Sequence, residues 1–198
     1  MTTYSIHSLS STSDPHYAKA IALYATCIPR EVLTNTNEIG MWLDSYNARF
    51  APDVFRVIAL LQDAHVIGYC QYVAIARNRL VIVDYIAIGK EHRKGVNVYC
   101  TFLRLLKDMA QKEHPEFDVV LEAIDLPVYG RRFEELLKRS GFAAMPYPYR
   151  QPALGDMAHE LNGKLMIYPA RDVASSEFDR INHCITTEHY GRWYSYLH

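Results

Sequence analysis

The sequence predicts a mixed α/β fold, and three observations carry that prediction. Three apolar strand runs follow one another between residues 55 and 88 with only short turns between them. From Leu80 onward the pattern alternates as strand, helix, strand, helix. The chain has 198 residues, 49% hydrophobic and 22% charged, which suits one well-cored domain. Consecutive short-looped strands imply an antiparallel meander, and the alternating second half implies a parallel crossover, so the sheet is predicted to be mixed with helices on both faces.

Tyr4 to Leu9 reads as a first strand. Asp14 as N-cap and Pro15 at the first helical position start a helix toward Thr26, which Pro29 ends. Thr36 to Tyr46 carries Ile39, Trp42 and Leu43 at helical spacing. Phe55 to Leu61 is a strand, turned by Gln62-Asp63-Ala64-His65 into Val66 to Ala74, and Arg77-Asn78-Arg79 turns the chain again into Leu80 to Ile88.

Between Asn97 and Glu113, Tyr99, Phe102, Leu103, Leu106 and Met109 share one helix face. Phe117 to Ile124 is a further strand. Val128 to Ser140 is a second amphipathic helix with Glu134–Lys138 and Glu135–Arg139 at i,i+4, stopped by Gly141. Pro146 to Pro152 reads as a rigid aromatic loop, Lys164 to Tyr168 as a late strand, and Ser176 to Thr187 as a last helix before an aromatic tail. The expected organisation is one domain over 1–170, followed by a helix and tail over 171–198. The tail packs on that domain or on a second subunit, which makes a homodimer one expectation.

A formal net charge of −1 gives no support for nucleic-acid or anionic-membrane binding. No apolar run reaches the roughly 20 residues that span a bilayer, and the N-terminus has no basic region followed by an apolar stretch. Cys27, Cys70, Cys100 and Cys184 form no CxxC pair, and the nine histidines show no HxH or HxxxH spacing. No metal is therefore expected, and a cytoplasmic setting with reduced thiols is.

The most informative stretch is Leu80 to Tyr99. An apolar strand holding one carboxylate, Asp84, opens into a basic loop with Gly95, and a helix starts at once. Strand, glycine turn and helix N-terminus together aim backbone N–H groups at an anion, usually a phosphate. The order of elements, the strand Asp84 to Ile88, the loop Glu91-His92-Arg93-Lys94-Gly95-Val96-Asn97, and Phe133 to Phe142 with its Ser140-Gly141-Phe142 ending resemble the GNAT superfamily of acyl-CoA-dependent N-acyltransferases. The resemblance covers about Tyr4 to Phe142. The family loop reads Gln/Arg-x-x-Gly-x-Gly/Ala. Here His92, Gly95 and Asn97 occupy the three defined positions, so the middle glycine alone is kept, with Arg93 and Lys94 adding positive charge.

The resemblance implies an N-acetyltransferase using acetyl-CoA as co-substrate. Backbone groups of Ile86, Ala87 and Ile88 would meet the pantetheine arm, with an N–H near Ile88 polarising the thioester carbonyl. The loop from His92 through Arg93, Lys94, Gly95, Val96 and Asn97 to Val98 would hold the pyrophosphate. Asp84 would act as general base toward a small-molecule or peptide amine. A lone carboxylate among Val, Ile and Tyr needs either a partner or a water-lined cleft, so a structural role for Asp84 stays open. Glu122, in the next strand, raises the same question.

The family's general-acid tyrosine, four residues before the glycine of Gly-Phe, is replaced by Leu137. Tyr129, at the start of the same helix, is the candidate in its place. Arg30, Trp42 and Tyr149 are candidate substrate contacts. The loss of the acid and the altered loop support an alternative, a CoA- or anion-binding regulatory or interaction module that does not catalyse.

Overall fold

The computed structural model describes residues 3–93, 97–126, 130–153 and 159–195. Eight strands form one mixed sheet: β1 (Tyr4–Ser8), β2 (Val54–Gln62), β3 (His65–Ile75), β4 (Leu80–Ile88), β5 (Asp118–Ile124), β6 (Ala143–Ala144), β7 (Tyr149–Gln151) and β8 (Leu161–Tyr168). Six α-helices accompany them: α1 (Tyr17–Cys27), α2 (Thr36–Arg49), α3 (Asn97–Glu113), α4 (Gly130–Arg139), α5 (Ser175–His183) and α6 (Tyr190–Ser195). Spatial order is β1-β2-β3-β4-β5-β8-β6, with β7 also on β8. The meander β1 to β4 is antiparallel, β4 and β5 are parallel, and β8 returns antiparallel to β5. The fold is thus the mixed α/β arrangement expected.

Strand alternation sorts the core into two layers. Tyr69, Val73, Ile82, Val120, Leu165 and Ile167 pack with Tyr24, Ile39, Trp42 and Ile181 of α1, α2 and α5. Cys70, Tyr72, Val81, Val83, Leu121 and Met166 pack with Phe102, Leu103, Leu106 and Leu137 of α3 and α4. The α3 helix fits its sequence pattern: Val98, Phe102, Leu103, Leu106 and Ala110 are buried along one stripe.

Local chemistry sets most boundaries. Asp63 and Ala64 take positive φ (47° and 68°), the geometry of a tight two-residue hairpin turn between β2 and β3. Asn35 caps α2 by accepting from the Asn37 N–H at 2.9 Å. Gly141 (φ 87°) ends α4 in the left-handed conformation. Gly130 lets α4 approach β5: a Cβ there would sit 2.7 Å from the Ile124 carbonyl oxygen.

Three elements differ from the sequence expectation. Helix α1 starts at Tyr17, two residues after Pro15, because the Tyr17 N–H bonds the Asp14 carbonyl at 3.0 Å in a tighter turn. The Asp14 carboxylate still accepts the His16 N–H as a cap does, and also meets the Ser10 N–H and the His7 imidazole at 2.9 Å. The proline-rich segment contains β7, three residues long and too short to show a period. The last helix is not uniform: Cys184–His189 widens into a π-helical stretch between α5 and α6. The C-terminal elements pack on the same chain, where Trp193 stacks on Trp42 at 4.1 Å and donates its indole N–H to Glu38. Among the described residues no helix is long and apolar enough to cross a membrane, and no group of three or more His, Cys, Asp or Glu could hold a metal.

Candidate active site

The parallel ladder between β4 and β5 runs from Leu80 opposite Asp118 to Val83 opposite Leu121 and stops there. Beyond it β4 continues to Ile88, while β5 continues to Ile124 paired only to β8. The two strands part, and a groove of about 540 Å³ opens between them. Val83 to Ala87 form one wall and Leu121, Glu122 and Ile124 the other. Cys27, Ile28, Pro29 and Val32, from the α1–α2 connection, close one end. Arg93, Tyr99, Arg132, Phe133 and Leu136 line the other.

A bulge in β4 sets which side chains face the helical layer of Tyr24. Gln71 stands opposite Tyr85 and Tyr72 opposite Val83, so Asp84 is the extra residue. Val83 and Ile86 pack into the α3/α4 layer, and the two residues between them turn the other way. Tyr85 joins the α1/α2 layer, and its hydroxyl donates to the Val32 carbonyl at 2.6 Å. Asp84 meets Gln71 and the C-terminal segment.

Asp84 lines the groove with its side chain 6% exposed. Gln71 Nε2 donates to its Oδ2 at 3.0 Å, and His189 Nε2 lies 2.6 Å from its Oδ1. Tyr69 donates to Gln71 Oε1, which fixes the amide so that its nitrogen faces Asp84. Burial works against protonating His189, but the Asp84 carboxylate, with Glu122 behind it, outweighs burial and holds the imidazole above the ordinary histidine range.

Glu122 also lines the groove. Its Oε1 accepts from the Tyr149 hydroxyl, and its Oε2 from Gln151 Nε2 at 2.7 Å and the Tyr190 hydroxyl at 2.6 Å. Burial pushes its carboxyl above the usual range, against the pull of the two tyrosine hydroxyls. His189 and Tyr190, consecutive in the chain, thus reach the carboxylates of two neighbouring strands.

The structure brings Asp84, Glu122, Ile86, Ala87 and Arg93 together around the groove. Arg93 also donates its Nε to the Ile88 carbonyl at 2.7 Å, tying the loop to the strand end. Ile88 itself is fully buried, His92 is half-buried beside Glu91, and Asn97 is exposed on the first turn of α3, which also carries the buried Val98. Lys94, Gly95, Val96 and Tyr129 lie outside the described residues.

Two expected substrate contacts are corrected. Trp42 is 2% exposed and stacked between Tyr46 and Trp193, so it is core. Tyr149 is buried with its hydroxyl spent on Glu122, and it supports the site from behind. Arg30 is exposed and lies between Pro29 and Val32, which line the groove. Leu137 is fully buried on the inner face of α4. Sequence reasoning missed Gln71, Gln151, His189, Tyr190 and Arg132. Of these only Gln71 carried a local signal, as a lone amide in the apolar run Tyr69 to Val73.

No family model matches the sequence, and neither does any curated protein. Solved structures do match. A protein of Bacteroides thetaiotaomicron assigned as a GNAT-family acetyltransferase superposes with a TM-score of 0.75 at 22% identity, over 94% of this chain and 98% of the other. The ribosomal-protein-alanine N-acetyltransferase of Brucella melitensis superposes at 0.60 with 16% identity, over 82% and 98%. The dodecameric spermidine N-acetyltransferase of Vibrio cholerae does so at 0.59 with 14% identity, over 88% and 95%. The chain has the GNAT fold.

Proposed function

From a chain with the GNAT fold, we propose an N-acyltransferase that moves an acetyl group from acetyl-CoA to a primary amine. One observation carries this reading: a groove opens where β4 leaves β5, and each strand contributes a half-buried carboxylate to it. The site suits the donor. From Asp84 onward β4 has no strand on its groove side, so its backbone is available to an extended amide-bearing arm, as in strand addition. Arg93 and Arg132 stand at the α3/α4 end, where cations favour phosphates.

The proposed reaction is direct attack. The acceptor arrives as an ammonium, and one N–H bond breaks as its proton passes through water to Asp84. The freed lone pair attacks the thioester carbonyl, the C–S bond breaks, and the second N–H proton leaves the acylated nitrogen for the departing CoA thiolate, giving the amide and free thiol. Asp84 is favoured over Glu122 as the base because it accepts from two donors against three at Glu122, which leaves it more free lone pairs. Glu122 is held by three donors, which fix it in place beside the groove. Leu137 is core and donates nothing, so the second N–H proton reaches the thiolate through water.

The test is thiol release from acetyl-CoA across a panel of amines. Amine-dependent release that falls on Asp84→Asn supports the transferase. CoA binding without release from any amine favours the second reading, a CoA-binding module, which the buried Leu137 supports.

A further inference from the structure

Resting on the transferase reading, we propose that His189, far from the groove strands in sequence, is the positioning residue that holds and tunes Asp84. Its side chain is 2% exposed and its Nε2 lies 2.6 Å from Asp84 Oδ1. The other oxygen is held by Gln71, whose amide is itself oriented by Tyr69. One donor on each oxygen fixes the plane of the carboxylate against its soft terminal torsion. Asp84 lines the groove and His189 does not, so the imidazole meets the base from behind and touches no substrate.

The tautomer follows from the other ring nitrogen. His189 Nδ1 is buried with no hydrogen-bond partner among the described residues. A neutral ring with its proton on Nε2 donates to Asp84 and leaves only an unpaired acceptor at Nδ1. An imidazolium buries an unpaired N–H as well, the costlier state at that atom. Four groups set the balance. Asp84 from β4 and Glu122 from β5 favour the cation, Arg192 opposes it, and the Tyr190 ring packs at 4.9 Å. The carboxylates prevail over burial and Arg192, and His189 titrates above an ordinary histidine.

That titration gives the dyad a chemical consequence. While His189 is cationic, its positive charge 2.6 Å from Asp84 Oδ1 opposes the arrival of a further proton there. Once His189 is neutral, that repulsion is gone and the Nε2 hydrogen bond is retained. His189 passes no proton on: the ammonium N–H breaks, an O–H forms on Asp84, and Nε2–H stays in place. At saturating amine, kcat therefore rises as pH passes through the His189 midpoint.

The experiment compares wild type, His189→Gln and His189→Leu by kcat against pH at saturating acetyl-CoA and amine. The side-chain NMR titration of His189 is followed in wild type and Asp84→Asn. The expected results are a loss in kcat of about tenfold or more in His189→Leu, recovery of most of that loss in His189→Gln, and disappearance of the ascending limb in both. The NMR midpoint of His189 should fall in Asp84→Asn. A limb unchanged in His189→Gln, or a His189 midpoint indifferent to Asp84, overturns the proposal while leaving the transferase standing. Absence of transfer by the wild type removes the transferase reading and this role with it.

Discussion

Val83 and Leu121 form the last rung of the parallel ladder between β4 and β5, and the next residue of each strand is an acid lining the groove. Strand divergence at that rung does two things at once. It frees one edge of β4, and it places Asp84 and Glu122 within electrostatic reach of each other. The predictions below test the groove, the two carboxylates, the pH dependence they impose and the core behind them.

Leu136 lines the groove from α4. In Leu136→Trp the added bulk should occupy the space between α4 and β4. Acetyl-CoA affinity measured by calorimetry should weaken at least about tenfold, a loss of roughly 1.4 kcal/mol. Melting temperature should shift little, since the residue is only partly buried.

Asp84→Asn keeps the size of the side chain and an acceptor for Gln71 or His189, but removes the base. Its kcat should fall by about 10² to 10⁴, with acetyl-CoA affinity close to wild type. Unchanged kcat across several amines would exclude Asp84 as the base.

Glu122→Gln should be destabilising even though it removes a buried charge. Three donors converge on Glu122. A Gln amide offers one oxygen to them and turns its own N–H groups toward at least one, for a cost of about 1–3 kcal/mol in urea unfolding.

Stability should decline as pH rises from the unfolded pKa of each raised group toward its folded one. The folded-state pKa of His189 is raised, so its contribution is full below the unfolded value of about 6.5 and is lost as pH rises through the folded value. The raised carboxyl of Glu122 has the same sign: its contribution is full below the unfolded carboxyl value and is lost as the buried group ionises. Urea unfolding of His189→Gln should show a shallower decline with pH than wild type.

Trp42→Ala should cost about 3–5 kcal/mol of stability, because the indole packs among Tyr46, Phe50, Phe55 and Trp193. KM for the amine in the folded fraction should stay near wild type. A large change in KM with little loss of stability would return Trp42 to the substrate site.

What could be read from sequence follows the range of the interactions involved. The strands and helices were legible where the apolar period ran over several residues, as in β2 to β5 and α3. Asp84 and Glu122 stood out because an ionisable group within an apolar strand demands a partner or water. Their partners did not stand out: His189 lies 105 positions from Asp84 and Tyr190 lies 68 from Glu122. Within the aromatic tail they look like any packing residues. Trp42 was misread because an aromatic at helical spacing is equally suited to a core and to a pocket wall. The three residues of β7 were too few to carry a pattern.

The central claim is that the groove between β4 and β5 receives the thioester arm of acetyl-CoA, and titration calorimetry on the wild type and Leu136→Trp tests it most directly. The account predicts one site per chain with a Kd on the order of micromolar to hundreds of micromolar, weakened in Leu136→Trp. No heat of binding at millimolar acetyl-CoA, or equal affinity in the two proteins, would contradict it.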